Sequence, residues 1–373
     1  MKSPPLSLTL TLSVLLPLAT SHPNPNPLPN HLPNQNPLAP PSPSPSPSPS
    51  PSPPSNPNSD SPKTGNPIIP GWYADPEARL YASEYWIYPT SSAAYSDQTF
   101  FDAFSSPDLL TWTKHPSVLN ITEIPWSTNR AAWAPSVGRN PRHPSSKSQS
   151  NSTLDSNTNP PPPPENEEYA YYMYFSTGDG TGIGVASSPS PGGPFTDALG
   201  YPLVNGTVRG AEAIDAQIFQ DEDTGRNWLF FGGWGHAMVV EVGADMVSLK
   251  GDFVEITPDG YVEGPWVLKR EGVCWGDNSY GVSYVTGPSP TGPFSAVPSK
   301  ILSGNDEVGT STGHNSVFTP DGEDYYIVYH RRPVNETERD HRVVCVDRMF
   351  FDERGGIVPV VITGEGVDAR PFG

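Results

Sequence analysis

From about residue 66 onward, short runs of aromatic and β-branched residues recur along the 373-residue chain, bounded by Gly, Pro, Asp and Ser. None sustains the 3.6-residue period of an amphipathic helix, so the pattern predicts an all-β fold. The runs also return in a fixed order. "YWIYP" (85–89) precedes "FFDAFSSPDLLTW" (100–112), and "YYMYFS" (171–176) precedes "IGVASSPSPGGPF" (183–195). "WLFFGG" (228–233) and "YYIVYH" (325–330) are followed in the same way, and "GVSYVTGPSPTGPF" (281–294) supplies one more copy of the second element. Units that cannot each bury both faces must pack on one another, and this periodicity predicts a five-bladed β-propeller over 66–373. One unit is irregular: "WVLKR" runs through "EGVCWGDNS" straight into "GVSYV", with no aromatic strand between. An inner strand of the fourth blade is therefore expected to be missing.

The rest of the chain reads differently. Met1-Lys2, the apolar "LSLTLTLSVLLPLATS" and small residues near position 21 have the layout of a secretory signal peptide over 1–21. Residues 22–65 are dominated by Pro, Ser and Asn, a composition that buries little and is expected to run as an extended, disordered linker carrying O-glycans. Residues 141–168 form a similar insertion, expected to be a disordered surface loop. Sequons at Asn120, Asn151, Asn205 and Asn335 agree with a secreted, extracellular glycoprotein.

A formal charge of −19 argues against nucleic acid and anionic surfaces as partners. No later segment is apolar enough for a membrane span, and a monomer acting on a neutral oligo- or polysaccharide is expected. With only two cysteines, Cys274 and Cys345, one bridge and two buried thiols both fit.

Three carboxylates stand in apolar or aromatic settings at the starts of different units: Asp75 in "GWYADPEARLY", Asp215 in "GAEAIDAQIF" and Glu263 in "GYVEGPW". As turn residues they would be unremarked, since Asp before Pro and acids beside Gly are common turn formers. As a set they suit glycoside hydrolysis, which needs one carboxylate to activate water and another, held protonated, to protonate the leaving oxygen.

In order, "NPIIPGWYADPE", "WAPSV", "GAEAIDAQIF", "GYVEGPW", "GTSTGHNSVF" and "YHRRP…HRVVCVDRMFF" resemble glycoside hydrolase family 43, from Asn66 to about Thr363. The resemblance implies a five-bladed propeller of inverting arabinofuranosidases, xylosidases and arabinanases. It implies Asp75 as general base, Glu263 as general acid and Asp215 as the carboxylate that orients the acid and tunes its pKa. It also implies Trp133 as a wall of the sugar pocket and Arg342 on the substrate. His314 would lie near a metal at the propeller axis, often calcium, and no organic cofactor is implied. Asp277 and Arg331 read as loop and surface residues.

The chain departs from the family after Glu263, where about ten residues, on the order of one strand with its turn, are missing. Loss of a coding segment would leave such a gap; the fourth blade must then repair itself or the protein is damaged. The expected activity is release of α-L-arabinofuranosyl groups from arabinoxylan or arabinan. The alternatives are a β-xylosidase or galactofuranosidase on the same fold, and a carbohydrate-binding pseudoenzyme.

Overall fold

The computed structural model describes residues 8–13, 61–141, 169–178, 180–270 and 281–372. In chain order the strands are β1 (Leu8–Ser13), then β2 (Tyr73–Tyr81), β3 (Glu84–Ser91), β4 (Phe100–Ser106) and β5 (Thr113–Asn120). Next come β6 (Trp133–Pro141), β7 (Tyr169–Thr177), β8 (Gly182–Ser188) and the short β9 (Thr196–Asp197) and β10 (Val204–Asn205). They are followed by β11 (Gln217–Asp221), β12 (Arg226–Phe231), β13 (Met238–Val242) and β14 (Leu249–Glu255). The last six are β15 (Glu263–Lys269), β16 (Gly281–Gly287), β17 (Ser299–Ser303), β18 (Thr310–Phe318), β19 (Tyr325–Arg332) and β20 (Val343–Met349).

Four antiparallel sheets are built from unbroken stretches: β2 to β5, β6 to β10, β11 to β14 and β18 to β20. Their second strands, such as "YYIVYHRR", are apolar on both faces because each sheet is sandwiched between two others. Tyr81, Trp86, Phe101, Val137 and Phe175 fill the seam between the first two sheets, and Tyr174, Ile218, Phe231 and Val240 fill the next. Phe230, Trp266, Val285 and Tyr329 join the following three sheets, and Ile69, Phe104, Tyr326 and Val346 return the packing to the first. The ring is fastened by its two chain ends: Thr64 N–H donates to Val367 C=O (2.8 Å), and Tyr73 N–H to Arg342 C=O (2.8 Å). Lys63, ahead of Asn66, joins this closure by pairing with Asp368.

The propeller therefore has four blades of contiguous chain, not the five expected. The remaining sheet has the order β15-β1-β16-β17, and its second place is taken by the N-terminal segment. Leu8 pairs with Lys269 on one side and Gly287 on the other, and Ser13 pairs with Glu263 and Val282. The missing element is thus the second strand and not the innermost, and an unpaired edge on each side explains why a strand fits there. "LTLTLS" alternates apolar and polar positions at the strand period.

Other expectations are settled by position. Arg331, read as a surface residue, is buried and donates to Thr363 C=O (2.8 Å), because ring closure covers it. Cys345 is a buried free thiol, its pKa pushed up to about 12 by burial. Cys274, Asp277, Asn151, nearly all of the 22–65 linker and the 141–168 insertion lie outside the described residues.

Candidate active site

In or just before each inner strand, a residue at the axis takes the left-handed conformation: Asp75 (φ 48), Ala134 (φ 43), Asp215 (φ 56), Gly264 (φ 71) and His314 (φ 36). Only the glycine adopts this without strain; each of the others costs about 1–3 kcal/mol and is held by its surroundings. The neighbouring sheet supplies the hold. Asp75 N–H donates to His330 Nδ1 (3.1 Å), Ala134 N–H to Thr90 Oγ1 (2.8 Å) and Asp215 N–H to Ser176 Oγ (3.0 Å). The ladders of β2, β6 and β18 shift register at this point, which re-aims the side chains toward the axis.

The side chains so aimed meet in one cavity of about 440 Å³. It is lined by all six residues singled out in the sequence, Asp75, Trp133, Asp215, Glu263, His314 and Arg342. The volume suits one or two sugar rings. His314 Nδ1 lies 3.6 Å from Asp75 Oδ1 and 3.7 Å from Asp215 Oδ2. Arg342 Nη1 is 3.5 Å from Asp75 Oδ1, and its Nε donates to Ser92 Oγ (3.1 Å). Trp133 is fixed by its indole N–H, which donates to Gln98 Oε1 (2.6 Å), and Tyr95 stands edge-on to it at 5.0 Å.

The same cavity drives its carboxyls apart. Burial alone would raise Asp75, but the Arg342 guanidinium and the His314 imidazole outweigh it and hold Asp75 well below the usual carboxylate range. Glu263 goes the other way, pushed up to about 8 by burial and by the negative charges of Asp75 and Glu212, with Arg342 opposing. Asp215 is also raised, chiefly by burial, against His314 and with Glu263, Asp75 and Glu212 adding. His330, buried and lowered to about 4, is neutral, so its Nδ1 accepts the Asp75 N–H. Near neutral pH the pocket holds an ionised Asp75 facing a protonated Glu263, the paired states that acid–base hydrolysis requires.

Tyr95, Gln98, Arg130, Glu212, Ile214 and His330 had no place in the sequence reading, yet the first five line the cavity. Glu212 alone had a visible signal, a second acid in "GAEAID". It sits where Gly180 and Gly233 leave room, since a Cβ there would come within 2.6 and 3.0 Å of its carboxylate oxygens.

The expected metal at His314 does not fit these residues. Among the described residues no group of three or more His, Cys, Asp or Glu is arranged to hold an ion. His314 Nδ1 instead faces the carboxylates of Asp75 and Asp215.

An axial cavity that pairs an ionised carboxylate with a protonated one is equipped for the acid–base chemistry of a glycoside hydrolase. The comparisons agree. Residues 64–357 match the profile of glycosyl hydrolases family 43, and the chain belongs to that family. It is 64% identical over 316 residues to the Beta-D-galactofuranosidase xynD of Aspergillus niger, covering 83% of this chain and 88% of that protein. Among solved structures it resembles a family 43 arabinoxylan arabinofuranohydrolase from Bacillus subtilis, in complex with cellotetraose. The TM-score is 0.66 at 24% identity, over 83% of this chain and 71% of that one. An α-L-arabinofuranosidase from Clostridium thermocellum matches with a TM-score of 0.58 at 27% identity, over 79% of this chain and 95% of that one.

Proposed function

We propose that the enzyme removes terminal furanosyl groups from cell-wall polysaccharide with inversion at the anomeric carbon. The observation that carries this reading is the convergence of Asp75, Asp215 and Glu263 on one axial cavity, where Arg342 favours an ionised Asp75 and burial favours a protonated Glu263. Asp75 takes a proton from water as that water attacks the anomeric carbon, and Glu263 gives its proton to the leaving oxygen. One displacement forms one C–O bond and breaks another, so no glycosyl-enzyme is made. Water must fit between the carboxyls, which calls for a separation of roughly 6.5–9.5 Å. Asp215 orients Glu263, Arg342 holds substrate hydroxyls near Asp75, and Trp133 packs on the sugar face.

The α-L-arabinofuranosyl reading widens to β-D-galactofuranosyl groups, favoured by the 64% identity to a protein of that name. The two sugars share their ring configuration and differ by one exocyclic carbon, so one furanose pocket serves both chemistries. The Pro-rich 22–65 linker and the sequons support an extracellular, glycosylated enzyme, and N-terminal sequencing of the secreted protein would show whether Leu8–Ser13 are retained; sedimentation tests the expected monomer.

The test is hydrolysis of aryl β-D-galactofuranoside, aryl α-L-arabinofuranoside and aryl β-D-xyloside by the wild type and Glu263→Gln, with NMR of the first sugar anomer released. Furanoside turnover with inversion, abolished in the variant, is expected. A preference for the xyloside, or retention, overturns the proposal.

A further inference from the structure

The turn between β12 and β13, residues 232–237, rides on the wall of the active site. Gly232 N–H donates to Ile214 C=O (3.0 Å), and Gly235 N–H donates to Val262 C=O (3.0 Å), one residue before Glu263. Tyr261 Oη donates to Gly232 C=O (2.8 Å). A Cβ on Gly233 would lie 2.8 Å from Ile214 and 3.0 Å from Glu212, both cavity-lining residues. At the tip of this pinned turn stands Trp234, with φ 55 and 64% of its surface exposed.

Both features work against folding. A bulky residue at positive φ is strained by about 1–3 kcal/mol, and an indole left in water forgoes its burial. Among the described residues fourteen other non-glycine residues share positive φ, and Trp234 is the one tryptophan of the set. Its neighbour across the turn is the strand start that carries the acid, and the leaving group departs on the side of the acid.

We infer that Trp234 is a binding platform for the sugar ring attached to the departing oxygen, so that the enzyme selects furanosyl groups carried on a glycan chain. The apolar C–H face of a pyranose or furanose packs on an indole, and little main-chain entropy is lost because the backbone of the turn is already pinned. The inference rests on the reading of Glu263 as the acid of a furanosidase.

The experiment compares kcat/KM for a methyl furanoside with that for the same furanosyl group carried on an oligosaccharide of three or more residues. A methyl group cannot stack, so the ratio of the two isolates the platform. Trp234→Ala should lower the oligosaccharide-to-methyl ratio about tenfold through KM, and Trp234→Phe should restore most of it. Trp234→Gly relieves the backbone, so its thermal midpoint should rise while the ratio falls. A ratio unchanged in all three variants, or a parallel loss on both substrates, overturns the inference. A wild type that hydrolyses neither substrate overturns the furanosidase reading instead.

Discussion

Arg342 places its Nη1 3.5 Å from Oδ1 of Asp75, and the two come from opposite ends of the folded chain. Ring closure brings them together, since Tyr73 N–H donates to the Arg342 carbonyl. The guanidinium is the largest influence opposing burial at Asp75 and keeps the proposed base ionised. Arg342→Ala should move the acidic limb of the kcat/KM–pH profile upward and cost on the order of 10²-fold in rate, with Arg342→Lys intermediate. A profile whose acidic limb stays in place would remove Arg342 from this role.

The basic limb belongs to Glu263. With its pKa at about 8, the acid is protonated below that value, and activity is lost as pH rises through it. Because Glu212 adds to the upward push, Glu212→Gln should shift the basic limb to lower pH, and the acidic limb should stay in place. Glu263→Gln should cost roughly 10²–10⁴-fold and abolish the basic limb altogether. Kinetics from about pH 5 to 10 follow the basic limb in both variants.

The same group ties stability to pH. A carboxyl whose folded pKa lies above its ordinary 4.5, here about 8, binds more protons folded than unfolded between those values. Its contribution is complete below 4.5 and is lost as pH rises through 8. Stability should fall across that window by up to about 1.4 kcal/mol per pH unit, and raised Asp215 acts in the same sense. Denaturant unfolding at several pH values should show a shallower fall for Glu263→Gln; an equal slope would mean the carboxyl is not buried as described.

What could be read from the sequence follows from how local each feature is. The repeated aromatic runs announce sheets because a strand's pattern is written in its own residues. Asp75, Asp215 and Glu263 were visible as acids in apolar company, and all three reach the cavity. His330 and Gln98 were not visible: one accepts the Asp75 N–H from the far end of the chain, and the other fixes Trp133 from a loop. Arg331 was misread because a charge at the end of "YYIVYHRR" looks exposed until residue 363 closes over it. For "LTLTLS", an apolar N-terminal run reads as an export signal, and the edges that make it a strand lie some 250 residues away.

Those six residues carry the sharpest remaining prediction. Leu8–Ser13 fall inside the segment read as a secretory signal, and a segment cut away on export cannot stay paired with Glu263. A chain starting at His22 leaves the facing edges of β15 and β16 open. Each lost backbone hydrogen bond is worth about 0.5–1.5 kcal/mol net, so the loss is on the order of several kcal/mol. That is a large part of a total stability of about 5–15 kcal/mol. Relative to the full chain, the shortened one should unfold at lower temperature and lose activity, because β15 begins at the acid itself. A synthetic peptide containing "LTLTLS" should restore part of both by strand addition. Equal unfolding temperature and activity for the two chains would show that β1 has no part in the working enzyme and that β15 and β16 satisfy their edges by another route.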